Sequence, residues 1–510
     1  LEVKRMKKRT TLLLSSAITI AALFSFNSKA QAAADPAVKA TNYNMTVKLN
    51  TRKNQLTEKV TMHVVNNGNE PVKNLLIRNI ANGVLKYDHQ HFKIAKNAKT
   101  TVKSISSAGE NLSYTTGKDK SNLFVDKSLN AGESTDLTVN VVTSVPKRQD
   151  RFGYQNINGG KVYNLSFCFP YLSDYRNGKW NYHPYYDGGE NRNTTVSNFH
   201  VSFYAPKSYK VAASGQNSTK NGKTTIVAEN MRDFAIVASN KFKVSHTYAD
   251  GIRINNYYFA GKNSKQYNKL ALLTAKDSFN IFTKKIGKYP YKEIDMTEGL
   301  LGKDTGGMEY PSLIMIDASG FVQKKHPINR YNELTEDVSH EIGHQWFYAT
   351  VGNDEYTEPW LDEGLTNFLE NSVYDLTYTK SKAYTAKLMH NKLYNRKTVK
   401  KANQVLANLA NTFLTDHRQK GIYVNRPLNN PPKGIDTDEM AYEAGSSFPA
   451  ILMIAMGKKK FFNALHDYYE TYYLKQATTQ DFLNIIRKYD NSKKVNYVIN
   501  QFIDPDYLNK

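Results

Sequence analysis

The chain has one cysteine in 510 residues, and that scarcity removes two options at once. Cys168 has no partner for an internal disulfide, and no thiolate metal cluster can be assembled. Its setting, NLSFCFPYL, reads as a small apolar residue packed inside. Acid is also scarce. Asp and Glu number 46 against 69 Lys and Arg, a formal charge of +23. The lysines are scattered and no nucleic-acid motif accompanies them, so no nucleic-acid partner is expected. Solubility and a loose attraction to an anionic cell envelope are the expected consequences of the charge. Internal repeats and low-complexity linkers are missing as well, and nothing in the sequence sets an oligomeric state.

Long apolar runs are missing except near the N-terminus. Lys7, Lys8 and Arg9 precede TLLLSSAITIAALFSF, an apolar run of 16 residues. That is short of the roughly 20 a spanning helix needs. Small residues then surround SKAQAAAD, which predicts a signal peptide over 1–32, cut after Ala32. A mature protein outside the cytoplasm is therefore expected, secreted or associated with the envelope. Without residues 1–32, 63 Lys and Arg stand against 45 Asp and Glu.

What is present divides the chain in two. It is too long for one ordinary core. From Thr41 to Lys243, segments such as NYNMTVKLN, EKVTMHVVNN, TDLTVNVVTSV, NFHVSFYAP and FAIVASNKF alternate apolar and polar residues, with NNGN, NGGK and NSTKNGK as turns. This predicts an antiparallel β domain over 33–248. Past it, SKQYNKLALLTAKDSFNIFTKKIG has helical spacing and SLIMID reads as a strand. From Arg330 helices dominate, giving a mainly helical domain over 249–510.

The chemistry concentrates in HEIGHQWFYATVGNDEYTEPWLDEG, His340 to Gly364. On a helix, His340 and His344 lie one turn apart and reach one metal from the same face. Leu334, Val338, Ile342, Gln345 and Trp346 supply the buried side of that helix. WLDEGLTNFLE predicts another, with Leu361, Leu365, Phe368 and Leu369 at core spacing and Glu363 among them. Two neutral histidines and one carboxylate are the ligand set of a catalytic zinc, with a fourth position left open. One Zn2+ per chain is expected. Glu341, beside a ligand but on a different helix direction, is placed to carry a proton. Asn367, one turn after Glu363, is a candidate to orient a ligand histidine. His89, His91 and His183 read as surface or sheet histidines.

These motifs resemble the aminopeptidase N and leukotriene hydrolase family of gluzincin zinc metallopeptidases. The family pattern is His-Glu-x-x-His, eighteen residues, then Glu within Trp-Leu-Asn-Glu-Gly; here Asp362 stands where Asn is usual. GGMEY, with Gly306, Gly307, Met308 and Glu309, is similar to the family's exopeptidase motif, with Tyr310 in place of Asn. AYEAG is similar to its Tyr-x-Lys-Gly segment, with Ala444 in place of Lys. MRDFAIVAS and GKYPYKEID resemble further family stretches. The resemblance implies a multidomain α+β fold, a β saddle followed by a thermolysin-like catalytic domain, and the large C-terminal helical domain of many members is not expected. It also implies peptide substrates, Glu341 as general base and Tyr442 as donor to the oxyanion. Gly306 to Glu309 would bind substrate, with Glu309 holding a free α-ammonium group. The family's second amine-holding Glu or Gln has no match, since KVYNLSF is free of acid. That departure keeps a zinc endopeptidase of relaxed polarity open beside an aminopeptidase. A binding protein on a retired peptidase scaffold is the reading from a different class.

Overall fold

Alternation along the N-terminal strands translates into one buried face. The computed structural model describes residues 36–508, apart from 92–93, 95–97, 119, 187–190, 192–193, 303–304, 319–329, 416–421 and 432. The expected signal peptide, 1–32, lies outside the described residues. β1 (Val38–Asn50) and β2 (Gln55–Asn66) form a hairpin in which Asn50 Oδ1 accepts from the Arg52 and Lys53 amides. Asn54 closes that turn at φ 49°, a conformation Asn tolerates. Further strands are β3 (Thr100–Ser107), β4 (Ser134–Ser144), β5 (Ser197–Tyr204), β6 (Gln216–Lys220) and β7 (Lys223–Met231). They extend the sheet in the order β6-β7-β5-β1-β2-β4-β3, and short strands bring it to ten. The sequence predicts an antiparallel sheet, yet β1 and β5 pair parallel from Asn42↔Asn198 to Lys48↔Tyr204. Alternation sets which face of a strand is buried, not which partner it takes.

A second, four-stranded sheet joins Lys210–Ala213, Ile236–Ser239, Gly160–Leu165 and Phe152–Ile157. Its two faces serve different cores. Tyr163, Leu165, Ala213, Ile236 and Ala238 belong to the core of the β region. Val162, Ala212, Ala235 and Val237 belong to the core of the helical region. Burial on both faces explains why FAIVAS reads as a nearly continuous apolar run. The sheet is a shared layer between the two parts.

The helical part begins with a mixed five-stranded sheet of β8 (Phe242–Ala249), β9 (Ile252–Phe259), β10 (Glu293–Gly299), β11 (Gly307–Met308) and β12 (Leu313–Asp317), in the order β8-β9-β10-β12-β11. The β8–β9 hairpin straddles the 248/249 boundary expected from the sequence. α1 (Ser264–Lys285) carries the chain from β9 to its parallel neighbour β10, the crossover that parallel pairing requires. α2 (Tyr331–Gly343) packs against α1, α3 (Glu363–Phe368) packs against α2 and α4 (Gly445–Met456), and α5 (Lys458–Thr471) packs against α4, with further helices to Leu508. Among the described residues no helix is long and apolar enough to cross a membrane.

Polar contacts pin the two parts together. Arg232, buried above Gly352, donates to the carbonyls of Tyr348, Thr194 and Lys475. Tyr348 donates to Asp233 at 2.9 Å. Asp354 accepts from Asn181 and pairs with His183, so that histidine holds an inter-region contact.

Candidate active site

α2 buries Leu334, Val338 and Ile342 along one stripe, which turns His340 toward the opposite side. α2 ends at Gly343, the His344 amide still donates to the His340 carbonyl, and the chain then tightens as the Gln345 and Trp346 amides donate to carbonyls three residues back. Gly343 lets α3 come close, since a Cβ there would lie 3.0 Å from the Thr366 methyl. That approach brings Glu363 to the two histidines.

The three donor atoms form a nearly equilateral triangle. His340 Nε2 and His344 Nε2 are 3.1 Å apart, and Glu363 Oε2 lies 3.2 Å from the first and 3.3 Å from the second. Zinc–ligand bonds near 2.0–2.2 Å in a tetrahedron give edges of about 3.3–3.6 Å, so the set fits that ion. The outer nitrogens support the fit. His340 Nδ1 is 3.1 Å from Glu370 Oε2, and His344 Nδ1 is 2.6 Å from Asp362 Oδ1. Thr366 Oγ1 and the Phe347 carbonyl lie near the same His344 nitrogen. With Nδ1–H of His340 donating to Glu370 and that of His344 donating to the Phe347 carbonyl beside the Asp362 charge, both Nε2 atoms are left as lone-pair donors facing a third. Three such atoms at this spacing call for a cation.

Electrostatics point the same way. Burial opposes charge on His340, but its hydrogen bonds to Glu363 and Glu370 outweigh that and push it up to about 10. Burial likewise opposes charge on His344, and the negative charges of Asp362 and Glu363 raise it well above the ordinary imidazole value. Glu363 is held low despite burial, by the two imidazoles. The site's field thus favours positive charge whether a proton or a metal brings it. Burial, then the charge of Glu363, raises Tyr442 far above an ordinary phenol, which keeps its O–H as a donor.

Tyr442 sits in a π-helical turn, Glu439–Ala444, just before α4, and donates to Glu363 Oε1 at 2.6 Å. Its ring stacks on His340 at 6.1 Å. A glycine pair sets this distance. A Cβ on Gly445 would lie 2.9 Å from Gly364 Cα, and one on Gly364 would lie 2.7 Å from the Gly445 carbonyl carbon. Only glycines let the segments bearing Glu363 and Tyr442 touch so closely.

The GGMEY segment lies on the other side. Carboxylate oxygens of Glu309 and Glu341 and a nitrogen of His344 all fall within 4.8 Å of one another. A Cβ on Gly307 would lie 2.4 Å from Glu341 Oε1, so this glycine makes room for that carboxylate. Gly306 rests on Asp337, whose carboxyl is raised by burial and then by the charges of Glu341 and Glu370. Met308 is buried in the core, leaving its backbone as the part a substrate can meet. β11 is an edge strand, paired with β12 alone among the described residues. Tyr310 donates to Ser166 of the β region at 2.7 Å.

Several members of the site escape sequence reasoning. Asn367 does not meet a histidine; its side chain donates to the Tyr442 carbonyl, bracing that turn. The histidine partners are Glu370 and Asp362, on residues whose spacing from Glu363 carried no signal in one sequence. Gln345 clamps the substrate segment, donating to the Glu309 and Tyr310 carbonyls and accepting from the Ser312 amide. Its adjacency to His344 was the one available hint. His89 and His91 lie apart, on the Ala98 carbonyl and the Tyr87 ring.

A β region packed on a helical region, with two histidines four apart and a glutamate nineteen beyond meeting at one point, is the arrangement that the resemblance to the gluzincins implies. Residues 270–502 match the peptidase family M1 domain. Endoplasmic reticulum aminopeptidase 1 of Rattus norvegicus is 24% identical over 258 residues, 49% of this chain and 25% of that protein. Aminopeptidase M1-D of Oryza sativa subsp. japonica is 21% identical over 249 residues, 47% of this chain and 26% of that protein. The chain thus matches only about a quarter of the length of these relatives. Among solved structures, an M1 zinc metallopeptidase from Deinococcus radiodurans aligns over 92% of this chain and 95% of its own, with TM-score 0.60 and 14% identity. A variant of a two-domain M1 zinc metallopeptidase bound to L-arginine aligns with TM-score 0.61, over 92% of this chain and 94% of its own, at 14% identity. Over residues 270–502 the chain is similar to the peptidase family M1 domain, and its fold is that of the two-domain M1 structures.

Proposed function

We propose that the protein is an exported zinc aminopeptidase that removes residues from the free N-termini of peptides. The observation that carries this reading is the triangle of His340, His344 and Glu363 with Glu341, Glu309 and Tyr442 around it. His340, His344 and Glu363 would hold one zinc per chain, which when bound would supply Lewis acidity. Glu341 takes a proton from the attacking water and hands it to the leaving amine, a contribution of about 10²–10⁴-fold. Tyr442 turns its phenol O–H to the oxyanion, a donor worth about 3–4 kcal/mol. Gly306 and Gly307 give the peptide backbone close access to edge strand β11, where a short strand pairing aligns the scissile bond. Two neighbouring carboxylates, Glu309 and Glu341, create a negative field suited to an α-ammonium group.

In this reading the β region is the family's saddle domain and the helical region its thermolysin-like domain. The basic charge adds a loose electrostatic hold on an anionic envelope. A second reading, an endopeptidase of relaxed polarity, rests on the segment that meets Tyr310. It brings Ser166, and no carboxylate, toward the site. The test is kcat/KM on matched free and N-acetylated peptides, for wild type and Glu309→Ala. One hydrogen-bonded carboxylate at about 1.5–3 kcal/mol predicts a preference of roughly ten- to two-hundredfold for the free amine. Glu309→Ala should erase most of it with zinc retained. Equal cleavage of both peptides by wild type would replace the aminopeptidase reading with the endopeptidase one.

A further inference from the structure

Behind the zinc site, a groove of about 780 Å³ separates the last turn of α1 from one face of α5. Lys284, Lys285 and Lys288 line one wall, and Lys458 and Lys459 line the other. Glu470 is the only carboxylate among the lining residues. Among the described residues, none of Lys284, Lys285, Lys288 or Lys459 makes an ion pair, and Lys458 donates to the neutral Asn403. The next lysine, Lys460, is turned to Asp490 instead. Burial, and then the charges of Lys458 and Lys284, push the Lys285 ammonium below its ordinary value. Five like charges around one concavity repel each other and weaken the fold unless an anion sits among them.

Helix chemistry explains only part of this. Lys284 and Lys285 suit the C-terminal end of α1, but Lys458 and Lys459 stand in the first turn of α5, where the helix dipole disfavours cations. The walls are also held in place. His466 Nδ1 meets the Ile286 carbonyl at 2.6 Å, Tyr469 donates to the Lys288 carbonyl at 2.5 Å, and Trp346 donates to the Gly287 carbonyl at 2.9 Å.

We propose that this groove binds an extended, phosphate-bearing polyanion of the inorganic polyphosphate kind. The chemistry favours phosphate over carboxylate. The lining holds no arginine fork for bidentate carboxylate recognition, while lysines act as point charges on phosphate. From Lys458 to His466 the wall runs about 12 Å along the helix, long enough for several consecutive phosphates. A concave wall suits a chain better than a flat membrane. Lys285 covers the Phe462 ring at 4.6 Å, which removes a stacking platform and makes the binding independent of any bases.

The test uses the full chain and fluorescein-labelled inorganic polyphosphate, followed by anisotropy across a salt series. Lys284→Glu/Lys288→Glu/Lys459→Glu should weaken binding at least about tenfold and lower the log–log salt slope by about 2, with peptide hydrolysis unchanged as the check of folding. Lys48→Glu/Lys59→Glu/Lys210→Glu, on the exposed β surface, alters net charge equally and should stay within about twofold of wild type. Equal weakening by both triple variants, or no binding by wild type, would overturn the proposal. Orthophosphate competing as well as polyphosphate, phosphate for phosphate, would overturn the extended ligand. Phosphatidylglycerol vesicles that lose binding only in the groove variant, with polyphosphate binding intact, would reassign the groove to a membrane surface.

Discussion

Replacing Gly307 by alanine should abolish the proposed peptidase activity without replacing a ligand or a proton carrier. An added Cβ would lie 2.4 Å from Glu341 Oε1 and 2.5 Å from both its Cδ and its Cγ. Carbon atoms in contact settle at about 3.5–4.0 Å, so the clash needs roughly 1 Å of movement. The backbones have little freedom to supply it. Gly307 is paired with Ile316 in the five-stranded sheet, and Ile342 and Val338 anchor α2 in the core. The Glu341 side chain therefore moves, and a misplacement of about 1 Å costs on the order of a hundredfold in rate. That corresponds to about 2.7 kcal/mol of lost transition-state stabilisation. Gly307 does not have a positive φ, so the effect is steric and local. The assay is kcat on a free-amine peptide, with zinc by elemental analysis and the melting midpoint alongside. Gly306→Ala is the milder companion, since its Cβ would meet only the Asp337 carboxylate, at 2.9 Å from the nearer oxygen. In a Glu341→Gln background, Gly307→Ala should add almost nothing, because both act on one group. A Gly307→Ala enzyme within about threefold of wild type, zinc intact, would refute the placement of Glu341 in the chemistry.

Tyr442→Phe should lower kcat far more than it raises KM; a rise in KM alone would mean that the phenol binds ground-state substrate. Glu370→Ala should weaken zinc binding by about 10–100-fold, read by competition with a chelator, because His340 Nδ1 loses its acceptor. Glu58 faces inward on β2 among Leu56, Val60 and Met62, and burial pushes its carboxyl up to about 8. A folded-state value above the unfolded one means that the native state holds the extra proton. Stability should therefore fall as pH rises from about 4.5 toward 8, and Glu58→Gln should flatten that fall in denaturant titrations. An unchanged pH profile in the variant would contradict it.

Periodicity alone determined the local pieces. Leu334, Val338 and Ile342 at steps of four made a helix, and the same period put His340 and His344 one turn apart. Alternation likewise marked strands from Asn42 to Phe242 and predicted their buried faces. Glu363 came from the ligand set that two histidines and one carboxylate make, whereas Tyr442 and Glu309 came from motif likeness, because their distances along the chain carry no geometry. Partnership was left to the tertiary structure. The parallel β1–β5 pairing, the sheet shared by two cores and the Arg232 contacts join residues that no local period relates. The Gly364–Gly445 contact is of the same kind, since an absent Cβ has meaning only when a second backbone arrives. So is the choice of Glu370 and Asp362, rather than Asn367, as partners of the histidines. A hydrogen bond is decided over about 3 Å. Predicting it from sequence would require the packing angle of two helices, which many side chains set together.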